Sequence, residues 1–393
     1  MKYRANPVNK KEVFMKRKRR NYCFWMRALA MLCAAVMAML LLFTTKAQAA
    51  TKLSGGNSGK ITVIDYGNAG MDADAVLVES NGKYILMDTG YTDSKNLSNS
   101  SVIRTLKNMG VRKLDLYLSH WHNDHYYMMT TIMKDPYFTV GTVYLPYSQR
   151  LLDLSASKNK DCKWYKDLTK NIKRSGKSWG PHSYTEVMET LNKKRSIRVV
   201  TLRQGSSFKV GDAEFEVLWQ RSSFSKPSKR TRHLNQVINN TSLVTRVTIG
   251  GVRYLTAGDI HKSVERDILR AGVDLKADIF KTSHHSNKDT SNCPEFFKAI
   301  GASWAFGTGK ASTTCQNGAA KAKTNYINLK DNGQITFTIN NGEISVSAEK
   351  NLKTVKRTYK DASGEKHTKT FVFDNRNKYF FKKAMFPKGS SGY

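Results

Sequence analysis

The densest chemistry in the chain lies in "LYLSHWHNDHYYMM", residues 116–129, where His120, His122, Asp124 and His125 fall within six positions. Imidazole nitrogens and carboxylate oxygens together suit zinc, manganese or iron(II). Within H-x-H-x-D-H, a loop can point alternate residues at two neighbouring centres. Two ions about 3.5–4 Å apart can share a hydroxide and clamp both oxygens of an in-line displacement. The plainer reading is a turn that carries surface histidines, and it would suffice for a single one. It does not account for the ligand types that recur elsewhere.

Those recurrences share a position. "KLDLYLS" runs into the first cluster and "ADIFKTS" into His284 and His285. "VRYLTAG" ends at Asp259, and "YILM" ends at Asp88. Each is an apolar, strand-like run with a ligand type at its end. Strand ends on one rim of a sheet can converge, and a rigid scaffold with functional loops is where sites are built.

The elements that must hold these ends are legible. Alternating runs turn at Asn81-Gly82, Gly211-Asp212, Gly250-Gly251 and Asn341-Gly342, which are hairpin signals. Helices fall between them. "SVIRTLKNMG" puts Val102, Ile103, Leu106 and Met109 on one face, and "SVERDILRAG" stops at Gly272. "NCPEFFKAIG" has Pro294 in its first turn and Gly301 after its end. Hairpins followed by single helices, twice over, predict two sheets flanked by helices. Residues 150–200 are rich in Lys, Ser and Asn and read as an insertion or lid with Trp164 and Trp179. Residues 351–393 read as a basic extension that opens with a hairpin.

The chain has 393 residues and a formal net charge of +34. Residues 1–27 are basic, residues 28–43 are uncharged, and Ala47-Gln48-Ala49 follows. That is the layout of a secretory signal, or of a signal anchor if it stays uncleaved. Either way the remainder is expected outside the cytoplasm, at the cell surface or secreted. Residues 50–60 read as a linker. Beyond residue 49 the chain keeps 54 basic against 30 acidic residues, a formal +24. Such a field favours a polyanionic partner, a nucleic acid or a teichoic-acid-like polymer. Cys162, Cys293 and Cys315 form no disulfide framework, though a Cys293–Cys315 bridge stays open.

"SHWHNDH", with "DTG" upstream and "LTAGD" and "SHHS" downstream, resembles the metallo-β-lactamase superfamily across roughly residues 61–347. "VIDYGNAGMDADAVLV", "NNTSLVTRVTIGGVRYLTAGD" and "DIFKTSHHSN" are most similar to the C-terminal hydrolase domain of ComEC-type competence DNA-internalisation proteins. The resemblance implies an α/β fold, a four-layer αββα sandwich over residues 61–350, with a dinuclear site for two divalent ions, zinc above manganese or iron. His120 and His122 would hold one ion and Asp124 and His125 the other. Asp259 would bridge, and His284 would complete the second site with His285 behind it. Asp88 would orient the His120–His125 loop. Asp124 or Asp259 would steer the proton of a bound water, and Lys281 or Lys288 would meet developing charge. The family's third-motif histidine is not evident; His182 in "GPHSY" stands ahead of His233 as its candidate. Tyr126 and Tyr127 replace a small pair common in the family and are expected in the substrate cleft. The expected activity is that of an extracytoplasmic phosphodiesterase or nuclease. A cell-wall or lactone esterase is the alternative, and a polyanion-binding protein without catalysis the third reading.

Overall fold

The computed structural model describes residues 58–67, 71–147, 181–221, 234–286, 290–350, 353–360 and 364–373. The expected signal segment, Lys288, His233, Cys162 and most of the expected lid lie outside them. Among the described residues no helix is long and apolar enough to cross a membrane.

Among the described residues, fifteen strands form two large sheets. The first sheet contains β1 (Ser58–Val63), β2 (Val76–Ser80), β3 (Lys83–Met87), β4 (Lys113–Tyr117), β5 (Thr139–Pro146) and β6 (Arg198–Leu202). β7 (Ser207–Val210), β8 (Ala213–Trp219), β9 (Val244–Ile249), β10 (Val252–Thr256), β11 (Ile279–Lys281), β12 (Trp304–Gly307) and β13 (Asn325–Asn328) form the second. β14 (Ile335–Asn340) and β15 (Glu343–Ala348) return to the first. The strand orders are β15-β14-β1-β2-β3-β4-β5-β6 and β13-β12-β11-β10-β9-β8-β7. In each sheet one half is antiparallel hairpins and the other is parallel, β3 to β6 and β10 to β13.

The hairpins form where the turn dipeptides stand. Asn81 and Gly82 adopt φ 48° and 66°, and Asn341 and Gly342 φ 50° and 83°. Two successive positive φ values are what a tight turn between right-twisted strands requires. The parallel halves need crossovers, and helices supply them. Those on the first sheet's side include α1 (Ser101–Asn108), α2 (Asn123–Tyr126), α3 (Met129–Lys134) and α4 (Pro181–Lys193). After α5 (Leu234–Asn239) come α6 (Lys262–Arg270), α7 (Pro294–Ile300), α8 (Thr313–Lys321) and α9 (Leu329–Asn332). Ser100 caps α1 by accepting from the Ile103 amide, and α7 ends on Gly301 at φ 65°.

Burial resolves four layers. Val102, Ile103 and Leu106 of α1, Ile132 of α3 and Val187 of α4 share a core with the first sheet. That core continues between the sheets: Phe306 stacks near Phe337 at 5.7 Å, and the Tyr117 and Thr245 hydroxyls meet at 2.7 Å. A separate core joins the outer face of the second sheet to Val264 and Ile268 of α6, Phe296 and Phe297 of α7, and Ala319 of α8. The αββα sandwich expected from the sequence is the architecture observed.

Three expectations need adjustment. β1 begins at Ser58, inside the stretch read as linker. Of the stretch 150–200 read as an insertion or lid, the described part carries α4, which buries Val187 and Leu191, and the start of β6, which pairs with β5 in the first sheet. Cys293 and Cys315 are both buried free thiols, not a disulfide. Beyond the sandwich, β16 (Lys353–Lys360) and β17 (Lys366–Phe373) pair as an antiparallel hairpin.

Candidate metal centre

All the ligand types sit at one rim because the parallel strands of both sheets end there. Asp88 follows β3, the His120–His125 turn follows β4, Asp259 follows β10, His284 and His285 follow β11, and Thr308 follows β12. Asp74 joins them from the other direction. β2 runs antiparallel to β3 with Val76 opposite Met87, so the residues before β2 meet those after β3. The Gly90 amide duly donates to the Asp74 carbonyl at 2.7 Å. Strand carboxyl ends are the usual place for a site in such sheets.

The side chains converge into two groups. One ligand atom each from His120, His122 and Asp259 lies within 4.8 Å of the others, as do atoms of Asp74, His125, Asp259 and His285. Asp259 belongs to both. Its Oδ2 lies 3.3 Å from His125 Nε2 and 3.2 Å from His285 Nε2. Asp124 reaches both sides, with Oδ1 2.6 Å from His122 Nδ1 and Oδ2 3.1 Å from His285 Nε2. Ligand atoms 2.0–2.1 Å from a tetrahedral ion lie about 3.4 Å apart, so these separations have the right scale.

The imidazoles are aimed by carboxylates behind them. Asp88 accepts from the Ser119 amide, the Ser119 hydroxyl and His125 Nδ1, all at 2.7 Å. Ser119 Oγ gives its proton to Asp88 and so accepts from His120 Nδ1 at 3.0 Å. His285 Nδ1 lies 3.0 Å from Asp74 Oδ1. With Nδ1 held from behind, Nε2 is the nitrogen turned toward Asp259, and it would offer its lone pair once an ion displaces its proton. This is how ligating histidines are held in other metal sites. The His120 Nε2 and Asp259 Oδ1 atoms are fully buried with no hydrogen-bond partner among the described residues. Orphaned polar atoms at that depth are costly unless something coordinates them. The donor set fits divalent ions.

The electrostatics agree. Burial, then the neighbouring His125, hold the His120 pKa well below the ordinary imidazole range. Burial opposes protonation of His125 and His285 too, yet Asp259 lifts both well above that range, helped by Asp88 for the first and Asp74 for the second. The same carboxylates are held ionised by these imidazoles, and an ion that takes the imidazoles' place beside them displaces protons.

The structure places the expected residues as follows. It brings His120, His122, Asp124, His125 and Asp259 together, with Asp88 behind the loop. His285, rather than the expected His284, enters the cluster. The reason is backbone: His284, His285 and Ser286 all have positive φ, 53°, 56° and 68°, and this left-handed run swings His284 aside. His284 stacks on His261 at 5.0 Å, and its Nε2 stays 3.9 Å from Asp259 Oδ2. Burial drops its pKa to about 3, so it is neutral. His285→Ala is expected to remove one ion per chain and His284→Ala neither, read by elemental analysis of dialysed protein. Equal losses would contradict the assignment.

Tyr126 is not in a cleft. Helix α2 turns it into the core, where it is 1% exposed. Tyr127 is half-buried, its ring 4.7 Å from that of Tyr91. Lys281 is neither a surface lysine nor open to substrate, being 1% exposed and ion-paired with Asp74. His182 opens α4, but its side chain is outside the described set, as are His233 and Lys288 in full. Asp74, Ser119, Asn239 and His261 escaped the sequence reading. Asn239 Nδ2 lies 3.3 Å from His284 Nε2, beside the centre. An acid before an apolar run whose hairpin partner ends at Asp88 was the one signal that could have found Asp74.

Two facing sheets, outer helices and an H-x-H-x-D-H turn at the strand ends are the arrangement that the resemblance to the metallo-β-lactamase superfamily implied. No protein-family model matches the chain. Over 108 residues it is 25% identical to ComE operon protein 3 of Bacillus subtilis (strain 168), 28% of this chain but only 12% of that protein's length. Among solved structures it is similar to the metallo-beta-lactamase fold protein YhfI from Bacillus subtilis, at TM-score 0.38 and 14% identity over 69% of this chain and 95% of that one. A diphosphatase of the PhnP family gives 0.35 and 12% over 63% and 86%. CmlA, a diiron beta-hydroxylase from Streptomyces venezuelae, gives 0.35 and 14% over 63% and 44%.

Proposed function

We propose that the chain is a metal-dependent hydrolase with a dinuclear centre, acting outside the cytoplasm as a phosphodiesterase on a polyanion such as a nucleic acid. The observation that carries the two-ion reading is Asp259, a fully buried carboxylate shared by both ligand groups. His120 and His122 would hold one ion; His125 and His285 would hold the other, with Asp124 between them. When bound, the pair supplies Lewis acidity and a water acidified toward neutrality. The protein's part is to fix the geometry. Asp88 and Ser119 lock the first three histidines' loop, Asp74 locks His285, and Asp124 and Asp259 are the carboxylates placed to take a proton near the reacting group. The ions stand as zinc, with manganese or iron also compatible with N/O donors.

The substrate class rests on charge and on the competence-type likeness. The formal +24 beyond residue 49 suits a polyphosphate chain. The secretory layout of residues 1–49 supports an extracytoplasmic setting, with membrane contact only through that segment.

Purified protein should be assayed with zinc or manganese on single- and double-stranded DNA, bis-p-nitrophenyl phosphate, p-nitrophenyl phosphocholine and a lactone panel. Cleavage of DNA and of the simple phosphodiester is expected. With six or more phosphate contacts, DNA affinity should fall on the order of 10³-fold between ~50 and ~200 mM salt. Turnover of lactones, or of p-nitrophenyl phosphocholine alone among the phosphodiesters with DNA and bis-p-nitrophenyl phosphate left intact, would replace the polyanion substrate with the cell-wall or lactone esterase reading.

A further inference from the structure

Lys281 closes β11, a strand buried at all three positions. Its ammonium has no route to solvent or substrate, and every partner it has belongs to the centre. Nζ donates to the Gly258 and Thr282 carbonyls at 3.3 Å, pairs with the Asp74 carboxylate, and lies 3.9 Å from Asp259 Oδ1. Gly258 leads into Asp259, and Thr282 leads into the turn that carries His285.

Asp74 is fully used by this arrangement. Oδ1 accepts from Thr308 Oγ1 at 2.6 Å and faces His285 Nδ1 at 3.0 Å. Oδ2 faces Lys281, but it also lies 3.6 Å from His125 Nδ1. That imidazole already serves Asp88 at 2.7 Å. Asp74 therefore has two histidines within reach, with Thr308 holding one of its oxygens and Lys281 the other. Asp74, Asp88, Asp124 and Asp259 are all buried, and two of them, Asp74 and Asp259, lie within 4 Å of this ammonium. Without it, Asp74 would be an unpaired buried charge beside three others, free to turn toward His125 and release His285.

We propose that Lys281 is a positioning residue for metal, a built-in counter-ion that pins Asp74 against His285 and so sets the affinity of the ion on the His125–His285 side. This rests on the two-ion reading above. It assigns Lys281 no contact with substrate, in place of the transition-state role its sequence position suggested.

The test uses the full chain as wild type, Lys281→Met and the double variant Lys281→Met/Asp74→Asn. Zinc stoichiometry and affinity are read by competition with a chromophoric chelator, and the metal-free melting temperature is followed separately. Wild type should bind two zinc ions. Lys281→Met should keep one near its wild-type affinity and weaken the other about 10–100-fold, the usual cost of an outer-shell change. A merely structural ion pair would lower the melting temperature and leave zinc affinity alone. Folded Lys281→Met with two ions at wild-type affinity would overturn the proposal. Should Lys281→Met not fold, the double variant decides, since removing both charges leaves no unpaired one. It should fold and still bind one ion weakly, because His285 has lost its carboxylate; wild-type affinity for both ions would overturn the proposal. A wild type that binds no zinc would sink the two-ion reading and this proposal with it, whereas an unperturbed variant beside a two-ion wild type sinks this one alone.

Discussion

Asp259→Asn is expected to yield a folded protein that binds neither ion well and has lost its hydrolytic activity. The change is nearly isosteric, and the Asp259 amide keeps its bond to Ser242 Oγ at 3.0 Å, so the loop after β10 has little reason to move. What goes is one negative charge and one ligand oxygen at a residue that, among the described residues, belongs to both groups. The loss should exceed the roughly 10–100-fold that outer-shell substitutions cost, because both ions depend on it. Circular dichroism and elemental analysis on the same sample separate loss of metal from loss of fold. Retained activity with two bound ions would remove Asp259 from its central role.

Glu265→Ala is expected to be the most destabilising single change outside the centre. Glu265 is fully buried on α6, and burial raises its pKa even though its carboxyl accepts the Asn292 amide at 2.6 Å and the Cys293 amide at 2.9 Å. Asn292 passes the restraint on: its side chain accepts from the Ser283 amide at 2.8 Å and donates to the Ser283 carbonyl at 2.7 Å. Ser283 begins the left-handed turn that presents His285. Truncation orphans two buried amides at about 1–3 kcal/mol each. It also leaves a cavity under the turn. The expected loss is about 2–6 kcal/mol, visible in a denaturant melt, together with weaker binding of the ion near His285. Glu265→Gln should recover little, since one arm of the amide would face a donor with a donor. A melt unchanged by Glu265→Ala would show that the turn is held by other contacts.

What could be read in the sequence was whatever depends on short-range pattern. The dipeptides at 81–82, 250–251 and 341–342 adopt the positive φ values that tight turns need, and the strands on either side pair as hairpins. The ligand types at strand ends do share a rim, since both parallel halves end there. What escaped depends on local backbone handedness or on long-range packing. Three successive left-handed residues are needed to see that His285 rather than His284 faces Asp259, and no spacing rule carries that. Tyr126 looked available because it follows the ligands, but a single turn of helix sends it into the core. Lys281 looked free to meet developing charge because lysine is rarely fully buried. Only the tertiary neighbourhood of Asp74, more than two hundred residues earlier, explains its burial.

A two-ion hydrolytic centre must lose its activity with its metal and regain it with two ions. The purified protein is stripped with a chelator, titrated with zinc or manganese, and followed by elemental analysis and by hydrolysis of bis-p-nitrophenyl phosphate in parallel. Two ions per chain are expected, with no turnover in the stripped protein and activity that returns as the second ion binds. Full activity in the stripped protein, or a folded chain that binds no ions, would contradict the two-ion centre.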